Sequence, residues 1–241
     1  MAAKQRDDLD RRLERFATAV GDAAGDNLVS LVLYGSAAVG QSGARSDVNL
    51  LLVLRDASAA GLRPLGPAFR DWVRAGERAP LVFSQTGWRN AADVFPIEIE
   101  DIRHRHRILR GVDPVAELRT RPEHLRHQLE REARGLLIQL RASYAAAESD
   151  GRALTQVVAE SLGSVLALFR ALLRHRGADV PDDATALVAA AAAVAGLEAG
   201  AFAWPVAQRT APKPARLAAY DPVAAQYLDA VQAFVDFVDR S

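Results

Sequence analysis

The chain lacks cysteine altogether, which excludes disulfide bonds, thiolate metal sites and a cysteine nucleophile. It also lacks a net charge, because 30 basic residues balance 30 acidic ones. No overall field therefore attracts nucleic acid or an anionic membrane. Its three tryptophans, Trp72, Trp88 and Trp204, stand outside any basic and aromatic stretch, which argues against a base-stacking platform for nucleic acid.

Long hydrophobic runs are absent as well. The longest, over residues 186–197, is mostly alanine and is shorter than the roughly 20 residues of a bilayer span. Residues 1–16 are charged throughout and contain no apolar segment typical of a secretory signal. We therefore expect a cytoplasmic protein with no membrane partner.

The composition is that of a globular protein, with 50% hydrophobic and 25% charged residues in a chain of 241. That length suits one large domain or two small ones. In the first half, short aliphatic runs alternate with helical periodicity, which predicts a sheet with flanking helices. The predicted strands cover residues 28–34, 48–54, 81–84 and 95–100, and the predicted helices cover 8–20 and 57–76, the latter interrupted near Pro64 and Pro67.

The second half carries helical periodicity only. Because helices with short connections pack as bundles, this pattern predicts an all-α bundle. The Gly-Val-Asp-Pro turn at residues 111–114 separates the two patterns, and we predict a first domain over residues 1–116 and a bundle domain over 117–241. The predicted bundle helices cover residues 122–149, 154–173, 184–197 and 218–238.

The first two predicted strands flank the segment that carries chemistry. Gly35 and Ser36 follow the first strand, where a turn into a helix lets the backbone and free N–H groups approach an anion. Asp47 and Asn49 open the second strand and share one face of it, because they are two residues apart. A phosphate cradle opposite oxygen ligands is a layout for a Mg²⁺-bound nucleoside triphosphate. The alternative is a plain turn followed by a loop cap.

Together these residues resemble the nucleotidyltransferase superfamily that includes DNA polymerase β, kanamycin nucleotidyltransferase and the minimal nucleotidyltransferases. The signature of that superfamily is a hydrophobic strand, Gly-Ser or Gly-Gly, a variable stretch, and then Asp-hydrophobic-Asp/Glu-hydrophobic. Here LVLYGS is followed by ten residues and then by Asp47-Val48-Asn49-Leu50. The resemblance covers residues 28–112. It implies an α+β fold, with an N-terminal nucleotidyltransferase-like mixed sheet and flanking helices, followed by a C-terminal all-α helical bundle.

The resemblance also implies an activity, which is Mg²⁺-dependent transfer of a nucleoside monophosphate from a triphosphate, expected to be ATP, to a hydroxyl acceptor. In this scheme Asp47 bridges the metal ions, and Gly35 with Ser36 holds the β- and γ-phosphates. Arg45 and Ser46, just before the aspartate, are further nucleotide-binding candidates. Arg45 has the reach to donate charge-assisted hydrogen bonds to the triphosphate, or it serves only the solubility of the loop.

The sequence departs from the family at Asn49, where the second metal-binding carboxylate is expected. An amide oxygen is a neutral and weaker ligand, whereas a two-metal site demands local negative charge. The family also places a third acidic residue on a later strand. Glu98 and Glu100 are the candidates, on one face of the predicted strand 95–100, and we favour Glu98 as metal ligand and catalytic residue because it is more central. Asp101 then points to the opposite face.

Other residues favour a structural role. The Arg-rich run 103–110, which includes His104 and His106, is predicted as a solvated helix face, because its arginines oppose a bound cation. Gly135 and Gly163 lie inside predicted helices, where each costs about 1 kcal/mol relative to alanine. We expect these two glycines to allow close approach of another helix or domain.

Two functions therefore stand side by side. The first is an enzyme that transfers a nucleotide to a hydroxyl of an acceptor, which could be a drug, a protein side chain or an RNA end. The second is a weakened or inactive nucleotidyltransferase-fold protein that binds a nucleotide or a partner as a regulatory, antitoxin-like module. Asn49 is the residue that separates them, and either form is compatible with a homodimer.

Overall fold

A computed structural model describes residues 2–35, 37–39, 48–211 and 213–241, and leaves the side chains of residues 2–6 and 210 undescribed. The chain divides into two compact units, residues 1–121 and residues 122–241. The sequence placed this division slightly earlier, between residues 116 and 117. The predicted fold class is confirmed, because the first unit holds a mixed sheet with helices and the second unit is helical in its described part.

The sheet of the first unit has four strands. β1 is the central partner of β2 and β4 and runs antiparallel to both, whereas β2 pairs in parallel with β3. The spatial order is β3-β2-β1-β4. The strands are β1 Leu28–Tyr34, β2 Asn49–Leu54, β3 Leu81–Ser84 and β4 His106–Gly111.

Five α-helices lie around this sheet in the described part of the first unit. The prolines at 64 and 67 interrupt the segment between β2 and β3 as predicted, because a 3₁₀ turn at Arg63–Leu65 separates α2 from α3. Two further 3₁₀ turns, Gly25–Asn27 and Asn90–Asp93, follow α1 and α4. The helices are α1 Ala2–Ala24, α2 Ala59–Leu62, α3 Gly66–Arg74, α4 Gln85–Arg89 and α5 Pro96–His104.

The two faces of the sheet pack against different helices, because side chains alternate along each strand. We call them the α1 face and the α5 face. On the α1 face, the leucines of β1 and β2 pack with α1 and with Trp72 of α3, and on the α5 face the intervening residues pack with Trp88 and α5. The α1 face presents Leu31, Leu33, Leu50, Leu52 and Leu54, and the α5 face presents Val32, Leu51 and Val53.

The prediction of a strand over residues 95–100 is wrong, because Pro96–His104 forms α5. Proline is tolerated in the first turn of a helix, where its missing N–H costs no hydrogen bond. The alternation of Ile97 and Ile99 imitates a strand, but Ile102 continues the buried side with helical spacing and packs with Ile99 on the sheet.

The fourth strand instead lies within the Arg-rich run that was predicted as a solvated helix face. β4 is an edge strand, and its arginines reach back to acidic residues of α1. Arg107 pairs with Asp10 at 2.7 Å, and Arg110 pairs with Glu14. These long-range ion pairs are invisible in a local sequence pattern, which explains why the segment was misread.

The second unit contains five α-helices in its described part. Asp150 begins α7 by accepting hydrogen bonds from the backbone N–H groups of Arg152 and Ala153. α7 is long and apolar enough to span a membrane, but half of its most apolar window is buried in this unit, where it forms the core. The helices are α6 Pro122–Ala147, α7 Gly151–His175, α8 Ala184–Ala195, α9 Ala203–Thr210 and α10 Pro222–Asp239.

The two glycines inside α6 and α7 do not mark a close approach. A Cβ added at Gly135 or at Gly163 would meet no atom within 4 Å among the residues that the structure describes. The expectation that these glycines allow the tight approach of another helix is therefore wrong.

Candidate functional site

The candidate site lies at the end of the two central strands, where β1 ends and β2 begins. We call this end of the sheet the candidate edge. Tyr34, the last residue of β1, is paired with Asn49 of β2 on one side and with His106 of β4 on the other. The segment between β1 and β2 contains most of the predicted nucleotide site. Of the predicted residues, Gly35, Asn49 and Glu98 are described, whereas Ser36, Arg45, Ser46 and Asp47 lie outside the described residues.

Gly35 turns the chain sharply at this edge. Its φ of +79° lies in the left-handed region, which glycine adopts without steric cost. Its N–H donates to the carbonyl of Arg105 at 2.9 Å, and its own carbonyl accepts from the N–H of Ala38 at 3.1 Å. The described residues 37–39 form a turn, where the sequence predicted the start of a helix.

The backbone at Gly35 also lies against the side chain of Asn49. A Cβ added to Gly35 would stand 3.3 Å from Nδ2 of Asn49, which is tighter than an ordinary contact. The glycine is therefore required here for two reasons, its backbone conformation and the closeness of the amide. This contact fixes the first residue of β2 beside the turn that was predicted to hold phosphate.

Alanine at position 35 is expected to displace the Asn49 amide and to destabilise the first unit by about 1–3 kcal/mol, from left-handed strain and crowding. Gly76→Ala is the matched control, because Gly76 has a φ of +87° and no atom within 4 Å of an added Cβ. Urea unfolding of both variants measures the difference. Equal destabilisation would contradict the contact between Gly35 and Asn49.

Asn49 belongs to the α5 face of the sheet. It lies two residues before Leu51 and four before Val53, both of which pack on that face, whereas Val48 packs on the α1 face. The side chain of Asn49 is partly buried. Its amide offers one oxygen acceptor and two N–H donors but no charge.

The hydroxyl of Tyr34 is influenced by several charged residues at this edge. Burial, followed by the negative charges of Glu98 and Asp101, raises the pKa of the Tyr34 hydroxyl to about 12, although the Arg78 guanidinium acts in the opposite direction. The phenol therefore stays protonated at neutral pH. Glu98, Asp101 and Arg78 therefore act on the hydroxyl of Tyr34, and Tyr34 is directly paired with Asn49.

Because residues 96–104 form a helix, Glu98 and Glu100 do not share a face as they would on the predicted strand. Glu100 accepts a hydrogen bond of 2.5 Å from Oγ1 of Thr120, which lies in the chain beyond β4, and it pairs with Nε of Arg103 at 3.3 Å within α5. Glu98 acts on Tyr34 together with Asp101, three residues further along α5. The expectation that Glu98 and Glu100 share a face, with Asp101 on the opposite one, is wrong.

The described donors do not fit a two-metal centre. The resemblance implies an acidic residue on a strand after β2, but β3 reads LVFS and β4 reads HRILRG, so neither contains one. Within the described ranges, no group of three His, Asp or Glu side chains could hold a metal ion. A two-metal site needs several carboxylates around ions about 3.5–4 Å apart, and Asp47 lies outside the described residues.

Sequence reasoning missed Tyr34, Asp101 and Arg78 as members of this edge. Tyr34 was visible as the last letter of the strand before Gly35, but a tyrosine at a strand end carries no functional signal by itself. Arg78 lies in the connection from α3 to β3 and Asp101 in α5. Only the parallel pairing of β3 and the helical form of residues 96–104 bring Arg78 and Asp101 within electrostatic reach of Tyr34, the strand partner of Asn49.

The fold has a counterpart among proteins of known structure, although the sequence has no close relative among the families and curated proteins compared. No protein-family model matches the sequence, and no curated protein matches it. Among solved structures, the chain is similar to spectinomycin adenyltransferase AAD(9) from Enterococcus faecialis, solved with ATP and spectinomycin, at a TM-score of 0.60. The sequences are 12% identical, and the match covers 95% of this chain and 98% of that one. The predicted resemblance is therefore confirmed at the level of fold, which is that of the kanamycin nucleotidyltransferase-like nucleotidyltransferases.

Proposed function

We propose that this chain binds a nucleoside triphosphate, with ATP as the expected nucleotide, at the sheet edge beside Gly35 and Asn49, and that it is a weakened or inactive nucleotidyltransferase. The observation that carries this proposal is the shortage of carboxylates. Asn49 is neutral, and neither β3 nor β4 contains an acidic residue. The similar structure was solved with ATP, which supports ATP as the first nucleotide to test.

The phosphates are proposed to bind along the turn that begins at Gly35. The left-handed glycine lets the chain approach a ligand closely at this point. Ser36, Arg45 and Ser46 in the following segment supply hydroxyl and guanidinium donors, which are strong partners for phosphate oxygens. Asp47 is the one carboxylate left in the matched motif, so any contribution of Mg²⁺ is expected to depend on it.

A second candidate function is a working transferase. Glu98 favours it, because this carboxylate lies near Tyr34, the direct partner of Asn49. A carboxylate there could orient the hydroxyl of an acceptor and receive its proton. The similar adenyltransferase was solved with spectinomycin, so spectinomycin is the first acceptor to test.

Two substitutions in the motif separate the candidates. Asn49→Asp restores a hard, charged oxygen ligand next to Asp47 and is expected to tighten ATP binding in Mg²⁺. If the native chain is a weakened enzyme, this change also raises pyrophosphate release with spectinomycin. If Asn49 is a tuned ligand, the change lowers release. Asp47→Ala is expected to remove the Mg²⁺-dependent part of ATP binding, because it removes the last motif carboxylate.

Calorimetric titration of ATP with and without Mg²⁺ checks these outcomes. Asp71→Ala is the matched control, because Asp71 is an exposed carboxylate on α3 of the same unit. Its isotherms should equal those of the unchanged protein. The absence of ATP binding by the unchanged protein under both conditions would contradict the proposed function, and identical isotherms for all variants would exclude a contribution from this motif.

A further inference from the structure

The mismatch between this site and a two-metal centre raises the question of what balances the phosphate charge. At the candidate edge, Asn49 is neutral, and the charges that act on Tyr34 are those of Glu98, Asp101 and Arg78. A triphosphate placed there needs positive charge or several hydrogen-bond donors. Arg78 is the cation of this group.

The sheet register brings Arg78 to the correct end of the sheet. β3 runs parallel to β2, with Leu81 opposite Leu51, and Arg78 lies three residues before Leu81. Because neighbouring strands lie about 4.8 Å apart and advance about 3.3 Å per residue, the residues just before β3 lie beside the start of β2. Asn49 is the first residue of β2, so Arg78 approaches the same edge.

The backbone of Arg78 is held in place while its side chain is exposed. Its carbonyl accepts a hydrogen bond of 2.8 Å from Nε1 of Trp72, and Trp72 is buried against Phe16 with ring centroids 4.6 Å apart. A guanidinium has five N–H donors, so it can serve a carboxylate and a phosphate at the same time. An anchored, exposed arginine of this kind is suited to bind an anion.

Asn49 complements this arginine. An aspartate at position 49 would add a negative charge beside Tyr34, on which Glu98 and Asp101 already act, and that charge would favour a divalent cation between the protein and a phosphate. The amide adds no charge, and its N–H groups can donate directly to phosphate oxygens. The native asparagine, which weakens a metal site at this position, therefore favours direct recognition of phosphate.

We propose that the triphosphate is bound at this edge without a divalent cation, with the Arg78 guanidinium and the Asn49 amide as its direct donors. This inference rests on the proposed binding of a nucleoside triphosphate and specifies how the phosphates are recognised. It predicts an affinity for ATP that is nearly independent of Mg²⁺. It also assigns to Glu98 a repulsive effect on the nucleotide instead of the role of a metal ligand.

Calorimetric titration of ATP in EDTA and in excess MgCl₂ tests the proposal on the full chain. The unchanged protein is expected to bind ATP in EDTA with a Kd within about threefold of its value in MgCl₂. Arg78→Ala is expected to weaken binding in EDTA about tenfold or more, because a hydrogen bond to a charged group is lost. Arg74→Ala, an exposed arginine at the end of α3, should bind like the unchanged protein.

Two further variants make the test independent of folding defects at position 78. Arg78→Lys keeps the charge but loses the fork of donors, and it should weaken binding by less than Arg78→Ala. Glu98→Gln removes a negative charge and should tighten ATP binding in EDTA severalfold. If Glu98 were a metal ligand, the same change would instead weaken binding in MgCl₂ and leave binding in EDTA unchanged.

The outcomes separate this inference from the proposed function. ATP binding that requires MgCl₂, or equal affinities of the Arg78 variants and the unchanged protein, would overturn metal-free recognition and leave the nucleotide site standing. No binding of ATP in either buffer would overturn both. Metal-independent binding that is lost in Arg78→Ala and kept in Arg74→Ala would establish the inference.

Discussion

Alanine in place of Gly111 is expected to destabilise the N-terminal unit severely. Gly111 ends β4 with a φ of +81°, and an added Cβ would stand 2.1 Å from the carbonyl oxygen of Val29. The left-handed conformation costs a side chain about 1–2 kcal/mol, and the forced shift of a packed backbone typically costs about 1–3 kcal/mol more. Such a loss is a large part of the 5–15 kcal/mol that stabilises an ordinary domain.

The surroundings of Gly111 leave no inexpensive way to relieve this clash. The same carbonyl of Val29 accepts a hydrogen bond from the N–H of Val112 at 3.1 Å. Ser30, which is fully buried, is paired with Gly111 and donates its hydroxyl to the carbonyl of Val112 at 2.6 Å. Moving β4 away from β1 would break these bonds and leave a buried hydroxyl unsatisfied.

Urea unfolding of Gly111→Ala in a Trp204→Phe background measures this effect. Trp72 and Trp88 are buried in the first unit, so the remaining tryptophan fluorescence follows that unit. Gly76→Ala again controls for the left-handed strain alone. A Gly111→Ala midpoint equal to that of the control would show that β1 and β4 do not meet as closely as described.

Truncation of Phe169 is expected to produce an effect of similar size in the helical unit. Phe169 of α7 is fully buried, and its ring forms edge-to-face contacts with Phe202 at 5.2 Å and with Phe234 at 5.1 Å between centroids. Removing a buried phenylalanine typically costs about 3–5 kcal/mol, because apolar contacts are lost and a cavity remains. Unfolding of this unit should be affected as a whole, since the Phe169 ring joins three elements. These are α7, the 3₁₀ turn Ala199–Phe202 and α10.

Circular dichroism during urea unfolding measures the loss of helix in Phe169→Ala. Ile138→Ala is the matched control, because Ile138 is a large apolar residue of the same unit that is 66% exposed. Its midpoint should change little, since surface substitutions usually stay within about 0.5 kcal/mol. A small effect of Phe169→Ala would mean that the three rings do not form the core of this unit.

The predictions at the site are smaller in free energy but more specific to function. Gly35→Ala separates the strain of a turn from its contact with Asn49. Asn49→Asp is expected to tighten ATP binding in Mg²⁺, whereas Arg78→Ala is expected to weaken ATP binding in EDTA. Together they distinguish a weakened transferase from a protein that holds a nucleotide through direct donors.

The local sequence determined the parts of this protein whose signals are local. Long aliphatic runs predicted β1 and β2, since strands buried on both faces read as continuous apolar segments. Helical periodicity predicted most of the second unit, and the prolines predicted the break between α2 and α3. Gly35, Asp47 and Asn49 were predicted as site residues because the motif places them at fixed spacing around two strands.

Only the tertiary structure decided what depends on pairing between distant segments. Residues 95–100 alternate like a strand, but packing of Ile99 and Ile102 on the sheet selects a helix. The sequence of β4 resembles a charged helix surface, but in the structure its arginines form ion pairs with acidic residues of α1. The chain before β3, which contains Arg78, comes to the start of β2 because β3 joins the sheet in parallel with β2. No local pattern encodes the pairing of two strands that α2 and α3 separate along the chain.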